Sequence, residues 1–128
     1  FPTFVKAAGA KPKGVGPIDG VDLMPLLKGG DELKREALYW HYPHYSNQGG
    51  FPGGAVRMGD FKLVERFEDG KTHLYDLSKD VGERKDIADK HPEKVADMRK
   101  KLHAWYKEVD AKFLQAKGKG PKPWRPGN

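Results

Sequence analysis

The chain has 128 residues, of which 26 are Leu, Ile, Val or Phe and another 26 are Gly or Pro, so its core is small and much of its length is loop. This leaves room for one modest domain and excludes a full-sized, multi-lobed enzyme. The net charge of +6 owes much to Lys117, Lys119, Lys122 and Arg125 near the C-terminus, which argues against a folded nucleic-acid-binding face, while the lack of cysteine excludes disulfides, thiol nucleophiles and thiolate metal sites.

No stretch approaches 18 consecutive apolar residues, so no membrane span is expected. The chain starts at Phe1 without Met or a signal-like segment and is expected to be a piece of a longer protein. Phe1 to Ala10 reads as the closing turns of a helix. Lys11 to Pro17 is too rich in Gly and Pro for regular structure, and Asp19 to Leu27 resumes with Asp22 as a cap and Pro25 in a short helical turn. Ala37 to Tyr42 is a strand stopped by Pro43, followed by a Gly-, Asn- and Pro-rich loop of functional length. Ala55 to Met58 and Phe61 to Glu65 flank Gly59-Asp60 as a hairpin, in which Gly59 would supply the positive φ of a type II′ turn. After a turn at Glu68 to Lys71, Thr72 to Leu77 is strand-like, with His73, Tyr75 and Leu77 on one side.

From Pro92, the residues Val95, Met98, Leu102, Trp105, Val109 and Phe113 form the stripe of an amphipathic helix, long enough to cover the sheet. The tail beyond Gly118 has no periodicity and is expected to be loosely held, with Trp124 able to fold back. The resulting fold class is α+β: a small antiparallel sheet of three to four strands packed against one long C-terminal helix, preceded by an extended connector. Residues 1–36 are the connector, 37–116 the α+β subdomain and 117–128 a basic Gly/Pro-rich tail.

The chemistry-bearing residues concentrate between Trp40 and Phe51. His41 and His44 are three apart, but Pro43 prevents the helix that would point them the same way, so a metal site is disfavoured. Aromatic faces beside imidazole and amide groups suit sugar rings, and His41, His44, Tyr45, Asn47 and Gln48 are the candidate substrate-binding residues. Arg57 and Lys62 straddle the hairpin turn and could hold an anion, although such residues more often keep an exposed strand face soluble. Ser46 and Ser78 are the only serines and neither lies in a G-x-S-x-G elbow, so no self-contained active site can be assembled.

Several segments in order resemble the C-terminal part of the formylglycine-dependent sulfatases. They are Phe1-Pro2-Thr3-Phe4 with Ala8-Gly9, Asp19 to Leu23, Pro25 to Gly29, Tyr39 to Tyr45, Ala55 to Leu63, and Leu74-Tyr75-Asp76-Leu77 through Asp80 to Ala88. The resemblance covers nearly the whole chain, with Asp22 where Ser is commoner and Lys85 to Ala88 where Asn-Leu-Ala is usual. It implies a small antiparallel sheet with a long C-terminal helix, attached to the N-terminal sulfatase catalytic domain of the same polypeptide. It further implies a parent enzyme that hydrolyses sulfate esters, using a formylglycine made in a C/S-x-P-x-R motif and a divalent cation, usually calcium. Neither is expected within these residues: cysteine is absent and neither serine begins S-x-P-x-R. The fragment alone is therefore expected to be inactive, contributing part of the substrate cleft through Trp40 to Phe51. The expected partner molecule is a sulfated carbohydrate, with no nucleic acid, and the parent is expected to be exported, periplasmic or secreted. A non-catalytic carbohydrate- or anion-binding module is the alternative.

Overall fold

The computed structural model describes every residue except Pro12, Pro17, Lys34, Lys117, Lys119, Gly120, Pro121 and Asn128. Lys117 and Lys119 of the basic tail therefore lie outside the described residues. The chain divides into two compact units, Phe1–Glu36 and Ala37–Asn128.

In the first unit, α1 spans Pro2–Ala7 and α2 spans Met24–Leu27, each with proline in its first turn, where a missing N–H leaves no helix bond unmade. Asp22 does act at the start of α2: its Oδ1 accepts the Met24 N–H at 2.9 Å and its Oδ2 pairs with Lys6 at 2.8 Å. The Lys6 ammonium and the Met24 amide hold the Asp22 carboxyl below its usual range. Thr3 accepts the Leu23 N–H through its hydroxyl, at 2.9 Å, which ties α1 to the approach to α2.

The second unit is a four-stranded antiparallel meander, β1 (Leu38–Tyr42), β2 (Gly53–Met58), β3 (Phe61–Arg66) and β4 (Thr72–Asp76), in the order β1-β2-β3-β4. Gly59 turns β2 into β3 with a φ of +55°, the sign a type II′ turn requires at its first central position. Pairing puts Tyr39, Val56, Leu63 and Leu74 in one cross-strand row and His41, Gly54, Glu65 and Thr72 in the next. Because side chains alternate, both rows face the same side, and α3 (Pro92–Glu108) lies against it. The core on that side comprises Val56, Leu63, Phe67, Leu74, Met98, Leu102 and Tyr106. Tyr39 stacks on Trp105 at its margin, ring centroids 5.0 Å apart.

Three details differ from the sequence expectation. First, β2 begins at Gly53, two residues before Ala55. A Cβ built on Gly53 would come within 2.8 Å of the Glu65 carbonyl oxygen, and one on Gly54 would overlap the Tyr106 hydroxyl and lie 2.8 Å from its Cζ. The glycines that looked like loop are where the strand admits close neighbours. Gly54→Ala is accordingly expected to lower stability by about 1 to 3 kcal/mol through overpacking. Thermal melts should then show Tyr106→Phe, made in the same chain, recovering part of the loss.

Second, α3 stops at Glu108. Asp110 takes a φ of +50° and the Ala111 N–H bonds back to the Tyr106 carbonyl at 2.9 Å, so the chain reverses. Phe113 reaches the core from the returning segment, not from a fifth helical turn, and Val109 is exposed. Third, the described end of the tail, expected to be loosely held, is tied to the core, with Trp124 folded back as the sequence allowed. Trp124 stacks on Phe67 with ring centroids 6.0 Å apart, Arg99 lies over the Trp124 ring, and Arg125 donates to the Leu114 carbonyl.

Between β4 and α3 the chain covers the β4 edge. Asp86 Oδ1 accepts the N–H groups of Leu74 and Ala88 at 3.0 and 2.9 Å, its Oδ2 meets His73 Nδ1 at 2.8 Å, and the Ile87 N–H reaches the Leu74 carbonyl. Burial pushes the Asp86 carboxyl upward, but the two amides and the imidazole outweigh it and hold the group below its usual range.

Candidate functional site

The β1–β2 connection, residues 43–52, is ordered by contacts at both ends. Pro52 is buried and its carbonyl accepts the Phe67 N–H at 2.9 Å. Phe51 carries the Arg66 guanidinium over its ring at 5.1 Å, and Arg66 in turn pairs with Glu68 at 2.6 Å. The Tyr45 hydroxyl donates to the other Glu68 oxygen at 3.1 Å, and this acceptor pushes the Tyr45 phenol above its usual value. The β3–β4 turn thus clamps the loop. At its tip the Ser46 hydroxyl accepts the Gln48 N–H at 3.2 Å and the Ser46 carbonyl accepts the Gly49 N–H at 3.2 Å, a local turn made by serine chemistry.

Within this frame His44, Tyr45, Asn47 and Gln48 are all exposed. His44 packs edge-on against Tyr42 with ring centroids 5.5 Å apart. The loop therefore offers an imidazole, two amides and the ring of Tyr45, whose hydroxyl is held by Glu68, to solvent from a backbone fixed at its base. His41 is placed differently. It sits on the helix side of β1 among Phe67, Tyr106 and Phe113, at centroid distances of 5.2, 5.5 and 5.3 Å. Its Nε2–H donates to the Lys112 carbonyl at 2.6 Å, holding the segment that follows α3. The structure thus groups four of the five candidate residues and assigns the fifth to packing.

Sequence reasoning missed Glu68 and Arg66, the residues that fix the loop, and it missed a buried carboxylate between β3 and α3. Glu65 has no exposed surface, yet it accepts from Arg99 Nε at 2.7 Å and from His103 Nε2 at 2.9 and 3.0 Å. Strand parity held the signal: Leu63, Glu65 and Phe67 alternate onto the core side. Burial pushes the nearby Tyr106 phenol strongly upward, and the Glu65 charge acts in the same direction.

Neither serine is set up as a nucleophile. Ser46 caps its own turn, and the Ser78 hydroxyl donates to Asp76. Among the described residues no group of three or more His, Asp or Glu side chains could hold a metal ion, and no helix is long and apolar enough to cross a membrane. Arg57 donates to the Gly59 carbonyl at 3.1 Å and Lys62 pairs with Glu83 at 2.6 Å, so the two cations flanking the hairpin each have a partner within the chain.

Comparison with known proteins gives a consistent result. Residues 1–112 match the model of the family described as N-sulphoglucosamine sulphohydrolase, C-terminal. A protein named Sulfatase from Formosa agariphila is 32% identical over 120 residues, covering 82% of this chain and 22% of the relative. A solved structure described as being in complex with its substrate D-glucosamine-2-N,6-O-disulfate is 27% identical with a TM-score of 0.70, over 85% of this chain and 23% of that one. Another, described as a 2-O GAG sulfatase, is 26% identical with a TM-score of 0.70, over 86% and 24%. The chain spans less than a quarter of the length of these relatives. With the family model covering most of its length, the chain belongs to the N-sulphoglucosamine sulphohydrolase C-terminal family and is a C-terminal sulfatase subdomain.

Proposed function

We propose that this chain serves an exported sulfatase that hydrolyses sulfate esters of a sulfated sugar, with residues 43–52 forming part of the wall of the substrate cleft. The observation that carries the reading is a loop clamped at its base by Glu68, Arg66 and Pro52 that still presents His44, Tyr45, Asn47 and Gln48 to solvent. Binding loops combine in this way a fixed backbone with exposed side chains. The relatives described with a disulfated glucosamine and as a glycosaminoglycan sulfatase support a sulfated sugar as the ligand class.

In this reading the imidazole of His44 and the amides of Asn47 and Gln48 donate to hydroxyl or sulfate oxygens, and Tyr45 supplies a ring face. His41 is a positioning residue, fixing β1 against the segment after α3 through Lys112. The chain's own residues suit neither formylglycine nor calcium: it has no cysteine, its serines are committed to local turns, and its described acids form no metal-binding group. Both belong, on this proposal, to the N-terminal catalytic domain, and the 128-residue chain alone turns over no sulfate ester.

The test is His44→Ala in a sulfatase that carries this chain. Its kcat/KM on a sulfated oligosaccharide is expected to fall at least about tenfold, or about 1.4 kcal/mol, while a small aryl sulfate is spared. Equal losses on both substrates would mean that His44 only holds the subdomain in place. No loss on either would leave the loop solvated and the reading wrong.

A further inference from the structure

The first 84 residues carry twelve Lys or Arg and twelve Asp or Glu, so the whole net charge of +6 belongs to residues 85–128, which include α3 and the returning tail. On the α3 side of the second unit an open groove of about 870 Å³ lies between the start of β4 and α3, within the size range of ligand sites. Lys71 lines it from the β3–β4 turn, Arg99, Lys100 and His103 from the helix, and Asp89 from the short helical turn Ala88–Lys90.

These groups differ in the charge they have left to give. Arg99 and His103 both meet the buried Glu65, at 2.7 and 2.9 Å, so their charge is largely spent, although the Arg99 side chain stays 38% exposed and is fixed over the Trp124 ring. Lys71 and Lys100 are exposed, and among the described residues neither ammonium has an acidic partner. Asp89 is the one acid among the described lining residues. The backbone under Lys71 is firm, because Asp69 accepts its N–H at 3.0 Å and its carbonyl accepts the Arg66 N–H at 2.9 Å. The same turn holds the loop of residues 43–52 through Glu68 and Tyr45. One turn thus carries the clamp of the loop on Glu68 and one wall of the groove on Gly70 and Lys71.

We propose that this groove is a second anion site, which takes sulfate groups of a polymeric sulfated sugar beyond the ester presented at the loop. The inference rests on the reading of residues 43–52 as cleft wall and deepens it by making the substrate a chain that bears several sulfates. The strength of the contacts selects a polymer over a free ion. An exposed ammonium gains little from one mobile anion, because both are well hydrated and screened by salt. A sulfate tethered to a sugar already bound at the loop arrives at high effective concentration, and several weak contacts then add. Ammonium groups and the outer side of a guanidinium pair readily with its oxygens.

Titration of the 128-residue chain with a heparin-derived octasaccharide, followed by calorimetry, reads the groove without turnover. Lys71→Glu with Lys100→Glu is expected to weaken binding at least about tenfold. Lys85→Glu with Lys107→Glu makes the same change of net charge at exposed residues outside the groove and should alter binding less than about twofold. Asp89→Asn removes the groove's acid and should tighten binding about threefold, a gain that unfolding cannot imitate. Equal losses for the two lysine pairs, or an Asp89→Asn variant that binds no better, overturn the inference. Equal affinity for the same octasaccharide stripped of its sulfates, or for single-stranded DNA of matched charge, would make the groove a general carbohydrate or polyanion surface and overturn it as well.

In a sulfatase that carries this chain, the ratio of kcat/KM on the octasaccharide to that on the matching disaccharide should fall about tenfold with Lys71→Glu and Lys100→Glu, through KM. An unchanged ratio overturns the inference. The two readings fail separately: a silent His44→Ala would refute the cleft wall and leave the measured affinity of the groove as it is.

Discussion

Glu65→Ala is expected to destabilise the chain by about 3 to 5 kcal/mol, because it deletes the shared partner of two cationic or proton-donating groups in a site closed to solvent. The carboxylate has no exposed surface, and both Arg99 and His103 point to it from successive turns of α3. Removing Glu65 takes from the largely buried imidazole, and from the inner side of the guanidinium, the acceptor they share. Removing either donor leaves a buried carboxylate with one fewer partner. Arg99 retains a route to water, with its side chain 38% exposed, so Arg99→Met should hurt less than Glu65→Ala. Denaturant melts of Glu65→Ala, Arg99→Met and the pair together check this. If the double variant lost the sum of the single losses, the two groups would not be coupled and the cluster would contribute nothing as a unit.

Leu102→Ala should cost about 2 to 5 kcal/mol through lost burial and the cavity left behind. Leu102 has no exposed surface and lies between Met98 and Tyr106 on the ridge that meets Val56, Leu63 and Leu74. Lys100, two residues away on the exposed side, serves as the control, and Lys100→Ala should shift the melt by less than about 0.5 kcal/mol. Similar losses for the two would mean that α3 is rotated from the orientation described.

The helix shows how far the sequence could be read. Its start at Pro92, its buried Met98 and Leu102 and its half-buried Val95 and Trp105 followed from apolar spacing alone. An antiparallel sheet of three to four strands, which has four, followed from strand-like runs separated by turns at Gly59 and Gly70. The spacing misled where polar residues were assumed to face water. Tyr106 is buried, with Arg99 and His103 beside it, because Glu65 waits across the interface, and a one-dimensional stripe cannot register a partner 34 or 38 residues away. Phe113 fitted the helical period and packs in the core, yet it arrives by a reversal at Asp110 that periodicity does not encode.

The candidate site was legible in the same partial way. The loop and its residues stood out by composition and length, and His44, Tyr45, Asn47 and Gln48 are on its surface. His41 shared their chemistry but not their direction. Alternation along Leu38–Tyr42 puts it with Tyr39 toward α3, away from Trp40 and Tyr42. The clamp of Glu68 and Arg66 was invisible because charges in a tight turn carry no signal of the long-range contacts they make.

The return of the chain over Phe67 bears on where this subdomain can be cut. The family match closes at residue 112, but Phe113 and Trp124 both press on the Phe67 ring, at centroid distances of 5.0 and 6.0 Å. A boundary drawn from sequence similarity would thus sever a lid from the hydrophobic cluster it closes, and would leave His41 bonded to the very last carbonyl of the shortened chain. For expression or for grafting onto another sulfatase, the packed unit extends through Arg125, whose guanidinium donates to the Leu114 carbonyl.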